Sequence, residues 1–156
     1  MPKGDHVTLT LTSSAFDPDG PIPRSFAHSS GDVSPPLQWG GIPDGTVELV
    51  LLVDDPDAPI KGSFVHWVLF RIAPSRSGLA EGESPAEAQS GTNGFGRLGY
   101  LGPAPPAGDP PHHYVFRLLA VDAPIEVKGH PSCSEVEAAT DGHVLATATL
   151  VGTYRS

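Results

Sequence analysis

The chain has 156 residues, with nine Lys plus Arg against 18 Asp plus Glu and a formal charge of -9. Only 17% of residues are charged, so it reads as one compact domain with a mildly acidic skin, not as an acidic disordered tail. Basic residues stand singly among neutral neighbours, which excludes a nucleic-acid footprint, and no apolar run reaches the roughly 18 residues of a membrane helix.

Gly and Pro, 18 of each, make up nearly a quarter of the chain. Interior Pro costs a helix about 3 kcal/mol and interior Gly about 1, so short strands joined by structured turns are expected. The opening Met-Pro-Lys-Gly-Asp-His lacks the apolar core of a secretory signal, and a cytoplasmic location is expected. Val7 to Thr12 alternates as a half-buried strand. Asp17-Pro18 and Asp19-Gly20 mark turns, and Ser34 to Trp39 is extended because its prolines disfavour helix. Val47 to Val53 and Phe64 to Ile72 are apolar runs bounded by Gly and Pro, and both read as core strands.

Ala73 to Pro111 follows, long and poor in strand signals. Its Glu81 to Ala88 portion is polar and is expected to be mobile or weakly helical, and Gly91 to Gly108 is too rich in Gly to be regular. A loop of this length inside a compact domain usually has a function. Tyr114 to Val121 and Ala146 to Val151 supply two more strands. Between them, Ser132 with Glu135 makes a capping box that predicts one short helix starting near Ser134. The expected fold is mainly β, a β-sandwich-like single domain over residues 1–156 with two packed antiparallel-rich sheets and few short helices.

Three places could carry chemistry. Asp54-Asp55-Pro56-Asp57-Ala58-Pro59 sets three carboxylates on a stiff turn after the most apolar strand. The alternatives are an acidic surface turn and a site with at least one carboxylate at the sheet edge. His66 interrupts an apolar strand and needs a partner or a polar cavity. Strand alternation puts Phe64, His66 and Val68 on one face and Val65, Trp67 and Leu69 on the other. His112-His113-Tyr114 opens a third strand, with His112 and Tyr114 sharing a face and His113 opposite. Zinc on Asp55, His66 and His112 lacks any compact ligand motif, so no metal and no cofactor are expected. Phosphate-loop and nucleophile-elbow motifs are missing. Cys133, the single cysteine, is expected to be a free structural thiol.

D-P-D-A-P at 55–59, the strand bearing His66, N-G-F-G-x-x-G-Y at 93–100, G-P-x-P-P-x-G at 102–108 and H-x-Y at 112–114 occur in that order. This series resembles the phosphatidylethanolamine-binding protein family, in its short bacterial and archaeal Raf-kinase-inhibitor-like branch. The resemblance implies a small anion pocket formed by Asp55, His66, Pro105, His112 and Tyr114, with Asp57, Pro59 and Gly102 supporting its loops. It also implies a cis peptide in the D-P-D-A-P turn and a homodimer. The sequence itself offers Trp39, Trp67, Phe70, Phe95 and Tyr100, of which one would sit in a contact patch unless all five are core. Two departures stand out: His113 replaces the family's usual Arg, removing a brace to a carboxylate, and Ala104 replaces Gly or Cys. The expected function is non-catalytic binding of a small anionic or phosphorylated ligand, with histidine N–H groups and glycine amides as donors. No stable membrane insertion and no kinase inhibition are carried over. The alternative is a hydrolase acting on a small ester or phosphoester through a His/Asp acid–base pair.

Overall fold

The computed structural model describes residues 8–156, so the start of the strand expected from Val7, and the opening residues, lie outside the described part. Eight strands and one helix follow in the order β1 (Thr10–Thr12), β2 (Leu37–Gly40), β3 (Glu48–Asp55), β4 (Phe64–Ile72), β5 (Gly78–Leu79), β6 (Gln89–Ser90), β7 (His112–Val121), α1 (Cys133–Thr140) and β8 (Val144–Tyr154). They form a three-stranded sheet, β1-β2-β5, and a five-stranded sheet, β6-β4-β3-β7-β8. Every strand pair is antiparallel. Mainly β, two packed sheets: the fold class is as expected.

The core explains why the strand patterns differ. Leu49, Leu51 and Val53 of β3 pack with Leu11, Leu37 and Trp39 of the smaller sheet. Val50 and Leu52 of the same strand pack on the other side with Val121, Ile125 and Val136. Strand β3 is therefore buried on both faces and reads as an unbroken apolar run. Strand β7 alternates instead, with His112, Tyr114, Phe116 and Leu118 buried and His113 exposed. Helix α1 starts after the Ser132 cap, and the reciprocal Ser132–Glu135 box is formed. Trp39, Trp67 and Phe70 are core residues, whereas Phe95 is 51% exposed.

The alternation expected in β4 does not hold. Val53 pairs with Trp67 but Asp54 pairs with Val65, so His66 is an extra residue in a β-bulge. Trp67 and Leu69 lie in the core between the sheets, while Val68 and Phe70 lie on the other face with Val65 against them. His66 thus shares the inner side with Phe64 and Trp67, not with Val68. A bulge re-aims one side chain without reversing the rest of the strand.

Glu81 to Ala88 is neither helical nor loose. Two turns close it, Glu83 N–H to the Ala80 carbonyl (3.0 Å) and Ala88 N–H to the Pro85 carbonyl (3.1 Å). Arg76 bridges Glu83 (2.9 Å) and Glu87 (2.6 Å). The Arg76 guanidinium holds the Glu87 carboxyl down to about 2. Two single-turn 3-10 helices, Arg24–Phe26 and His28–Ser30, were also not anticipated from the sequence. Among the described residues, no helix is long and apolar enough to cross a membrane.

Candidate functional site

At one end of the five-stranded sheet a cavity of about 240 Å³ is lined by Asp55, His66, Pro105, His112 and Tyr114 together. Pro59 and Gly102 also line it. Residues 57 positions apart meet because β3 and β7 are antiparallel neighbours, so the end of one lies beside the start of the other. His66 arrives from β4, and the loop carrying Gly102 and Pro105 closes the far wall.

His66 is 4% exposed, and its Nδ1 lies 2.7 Å from the Leu101 carbonyl oxygen. A carbonyl only accepts, so Nδ1 carries the hydrogen. Burial pushes the His66 pKa below its ordinary value, against the opposing pull of the Leu101 carbonyl and the Asp55 charge. A neutral ring protonated at Nδ1 has a lone pair on Nε2. No fully buried side-chain nitrogen or oxygen among the described residues lacks a partner, so Nε2, which bonds no protein group among them, opens on the cavity as an acceptor. Edge contacts from Phe64 and Tyr114, each with centroids 5.1 Å away, hold the ring.

His112 is the opposite case. Its Nδ1 lies 2.7 Å from Asp55 Oδ2 and its Nε2 3.0 Å from Asp109 Oδ2. Ionised carboxylates can only accept, so both nitrogens donate and the ring is an imidazolium. Burial pushes the His112 pKa down, but hydrogen bonds to Asp55 and Asp109 push it further up, and the net shift is upward. Asp55 is 3% exposed, and its second oxygen accepts from Asp57 N–H at 2.7 Å. Burial and then the Asp55 charge raise the Tyr114 pKa well above the usual phenol range, so its hydroxyl stays a donor. The cavity therefore combines a cation, a hydroxyl donor, a carboxylate and an imidazole acceptor.

The supporting residues also fall into place. Asp57 accepts from both the backbone N–H (2.8 Å) and the Nδ1 (2.7 Å) of His113. The hydrogen bond from the imidazole lowers the Asp57 pKa. The brace that the missing Arg was expected to remove is thus supplied by His113. At Gly102 a Cβ would sit 2.5 Å from the Phe26 oxygen, the Ala27 carbonyl carbon and the His28 nitrogen. Only glycine allows the loop to lie this close. Its amide is not free for an anion, however, since it donates to Asp32 Oδ1 at 2.9 Å. The cis peptide is absent too: every peptide bond among the described residues is trans.

Sequence reasoning missed His28, Phe64, Phe95 and Ile60 as wall residues, and Asp109 as a partner of His112. His28 donates through Nδ1 to Asp32 Oδ1 at 2.8 Å and stands edge-on to Phe95. It comes from a Ser-rich turn with no motif, and nothing in the sequence pointed to it. Asp109 carried a signal, being the one charge in a Pro-rich loop directly before His112.

The sequence profile of the phosphatidylethanolamine-binding proteins matches residues 12–155. The chain belongs to that family. It is similar to a Methanothermobacter thermautotrophicus protein named UPF0098 protein, at 41% identity over 152 residues, covering 94% of this chain and 99% of the relative. It is also 43% identical over 148 residues to a Mycobacterium tuberculosis protein named as a lipoprotein, LppC, covering 94% of this chain and 72% of the relative. Among solved structures, a Chlamydia trachomatis homologue of the family superposes with a TM-score of 0.89 at 37% identity, covering 96% of this chain and 98% of that one. Escherichia coli YbcL, described as a member of the same family, superposes at 0.89 with 30% identity, covering 95% and 98%.

Proposed function

We propose that this member of the phosphatidylethanolamine-binding protein family binds a small, singly charged phosphoryl anion in the cavity and performs no chemistry on it. The observation that carries this reading is the pairing of unlike histidines. His112 is an imidazolium donor, whereas His66 offers an acceptor beside the Asp55 carboxylate. A fully ionised oxyanion would meet repulsion from Asp55 and His66 Nε2. A protonated phosphoryl group would not, since it accepts from His112 and Tyr114 through P–O⁻ and donates P–OH to Asp55 or His66. Phosphomonoesters take up that proton near pH ~6.

The hydrolase reading has weaker support. Among the described residues no Ser, Thr, Cys or Lys lines the cavity, and Asp55 already accepts from His112 and from the Asp57 amide. An esterase and phosphatase screen with H66A as control tests it, and turnover abolished by H66A would favour an enzyme. A homodimer, on the family resemblance, and a cytoplasmic location, on the expectation from the sequence, belong to the same proposal. A light-scattering mass of twice 16.2 kDa is expected for the dimer.

The direct test is calorimetry with phosphate, phosphoethanolamine, sulfate and acetate at pH 5.5 and 7.5. The two phosphoryl compounds should bind, more tightly at pH 5.5, and sulfate and acetate should bind more weakly because they have no proton to donate. H112A should weaken phosphate binding more than H113A, whose side chain faces away from the cavity. No binding by any of the four at about 10 mM would remove the proposal.

A further inference from the structure

Both ring nitrogens of His112 are occupied within the protein, so this cation offers no unshared N–H to an incoming anion. One of the two carboxylates must leave for a ligand oxygen to reach the ring. The two differ sharply in freedom. The Asp55 side chain is 4% exposed and that of Asp109 is 39% exposed. Asp55 is also held through its other oxygen by the Asp57 amide. Asp109 sits at the tip of an exposed turn closed by its own N–H to the Pro106 carbonyl at a long 3.2 Å. Gly108, just before it, has φ +91° and no heavy atom within 4 Å of where a Cβ would be. Pro105-Pro106 and Pro110-Pro111 stiffen the chain on either side, which confines movement to Ala107–Asp109.

We infer that Asp109 is an internal stand-in for the ligand: its carboxylate occupies the anion position on His112 Nε2, and a bound phosphoryl anion takes its place. This rests on the phosphoryl reading of the cavity. The exchange of Asp109 for a monoanion leaves the charge around His112 unchanged, whereas a dianion would add one negative charge beside Asp55. Asp109 is thus a specificity-determining residue that sets how strongly an anion must bind to enter.

The test uses the whole protein, D109N, D109S and inorganic phosphate. Asn keeps the shape but weakens the competing bond, and Ser removes its reach. Because Asp109 is partly exposed, its competition should be modest, and calorimetry near pH 6 should show phosphate binding at least about threefold tighter in D109S, with D109N between. Charge removal alone could tighten anion binding, so NMR titration of the His112 ring supplies the second measurement. Without phosphate the ring should lose its proton at lower pH in D109S than in the unaltered protein. Saturated with phosphate, both should titrate alike, because the anion has replaced Asp109 in each. Equal or weaker binding by D109S, or a difference in His112 titration that survives saturation, would overturn the displacement while leaving the phosphoryl site standing. No phosphate binding by any of the three proteins would overturn the site reading and this inference with it.

Discussion

Alanine at Gly102 and alanine at Gly108 should both destabilise the protein, by different mechanisms and by different amounts. At Gly102 the new methyl would meet three backbone atoms at 2.5 Å, and backbone cannot swing aside as a flexible side chain can. The turn at 26–28 and the loop must separate by roughly 0.5–1 Å, an overpacking cost of about 1–3 kcal/mol. Three hydrogen bonds cross that seam: Gly102 N–H to Asp32 (2.9 Å), His28 N–H to the Pro103 carbonyl (3.0 Å) and Tyr100 O–H to the Phe26 carbonyl (2.7 Å). Losing one adds about 1 kcal/mol, so G102A should cost about 2–4 kcal/mol. Phosphate affinity should fall as well, because the neighbouring Leu101 carbonyl orients His66. At Gly108 nothing is near, and only the positive φ opposes a side chain, a cost of about 1–2 kcal/mol. Urea unfolding of both variants, with phosphate calorimetry, measures the difference. If G102A lay within about 0.5 kcal/mol of the unaltered protein, or G108A cost more than G102A, the close packing would not be what holds this loop.

Three further outcomes follow from the same geometry. The exposed Asp57–His113 pair is worth little, so H113A should lose under about 1 kcal/mol; by NMR its Asp57 carboxyl should titrate nearer the ordinary value, and H113R should restore the depression. His112 has a folded-state pKa above its unfolded value of about 6.5. Its stabilisation is therefore complete below about pH 6.5 and disappears as pH rises through the folded-state value. Urea unfolding between pH 5 and 9 should show the unaltered protein's advantage over H112N shrinking with pH, and growth instead would contradict the imidazolium assignment. Cys133 is buried and burial pushes its thiol up to about 12. It should resist alkylation at pH 8 in the native protein and react at once in urea; rapid native labelling would place the thiol outside the core.

Much of this protein can be read from local pattern. The double-sided burial of β3 is visible as an unbroken run from Leu49 to Val53, and the period of two in β7 correctly separates His112 and Tyr114 from His113. The helix start is legible because a capping box involves residues only three apart. The order of short motifs from Asp55 to Tyr114 marks which residues share a cavity, although no single one suffices. What escaped depends on partners that are distant in sequence. The bulge that sets His66 beside Trp67 arises from its register with Asp54 on another strand, and alternation by itself groups it with Val68 instead. The protonation of the two histidines is decided the same way. Identical side chains become a neutral acceptor and a cation because one faces the Leu101 carbonyl and the other lies between Asp55 and Asp109. Residue identity sets which groups can titrate, but only the folded chain sets the charges and burial around them, and those decide which form is present.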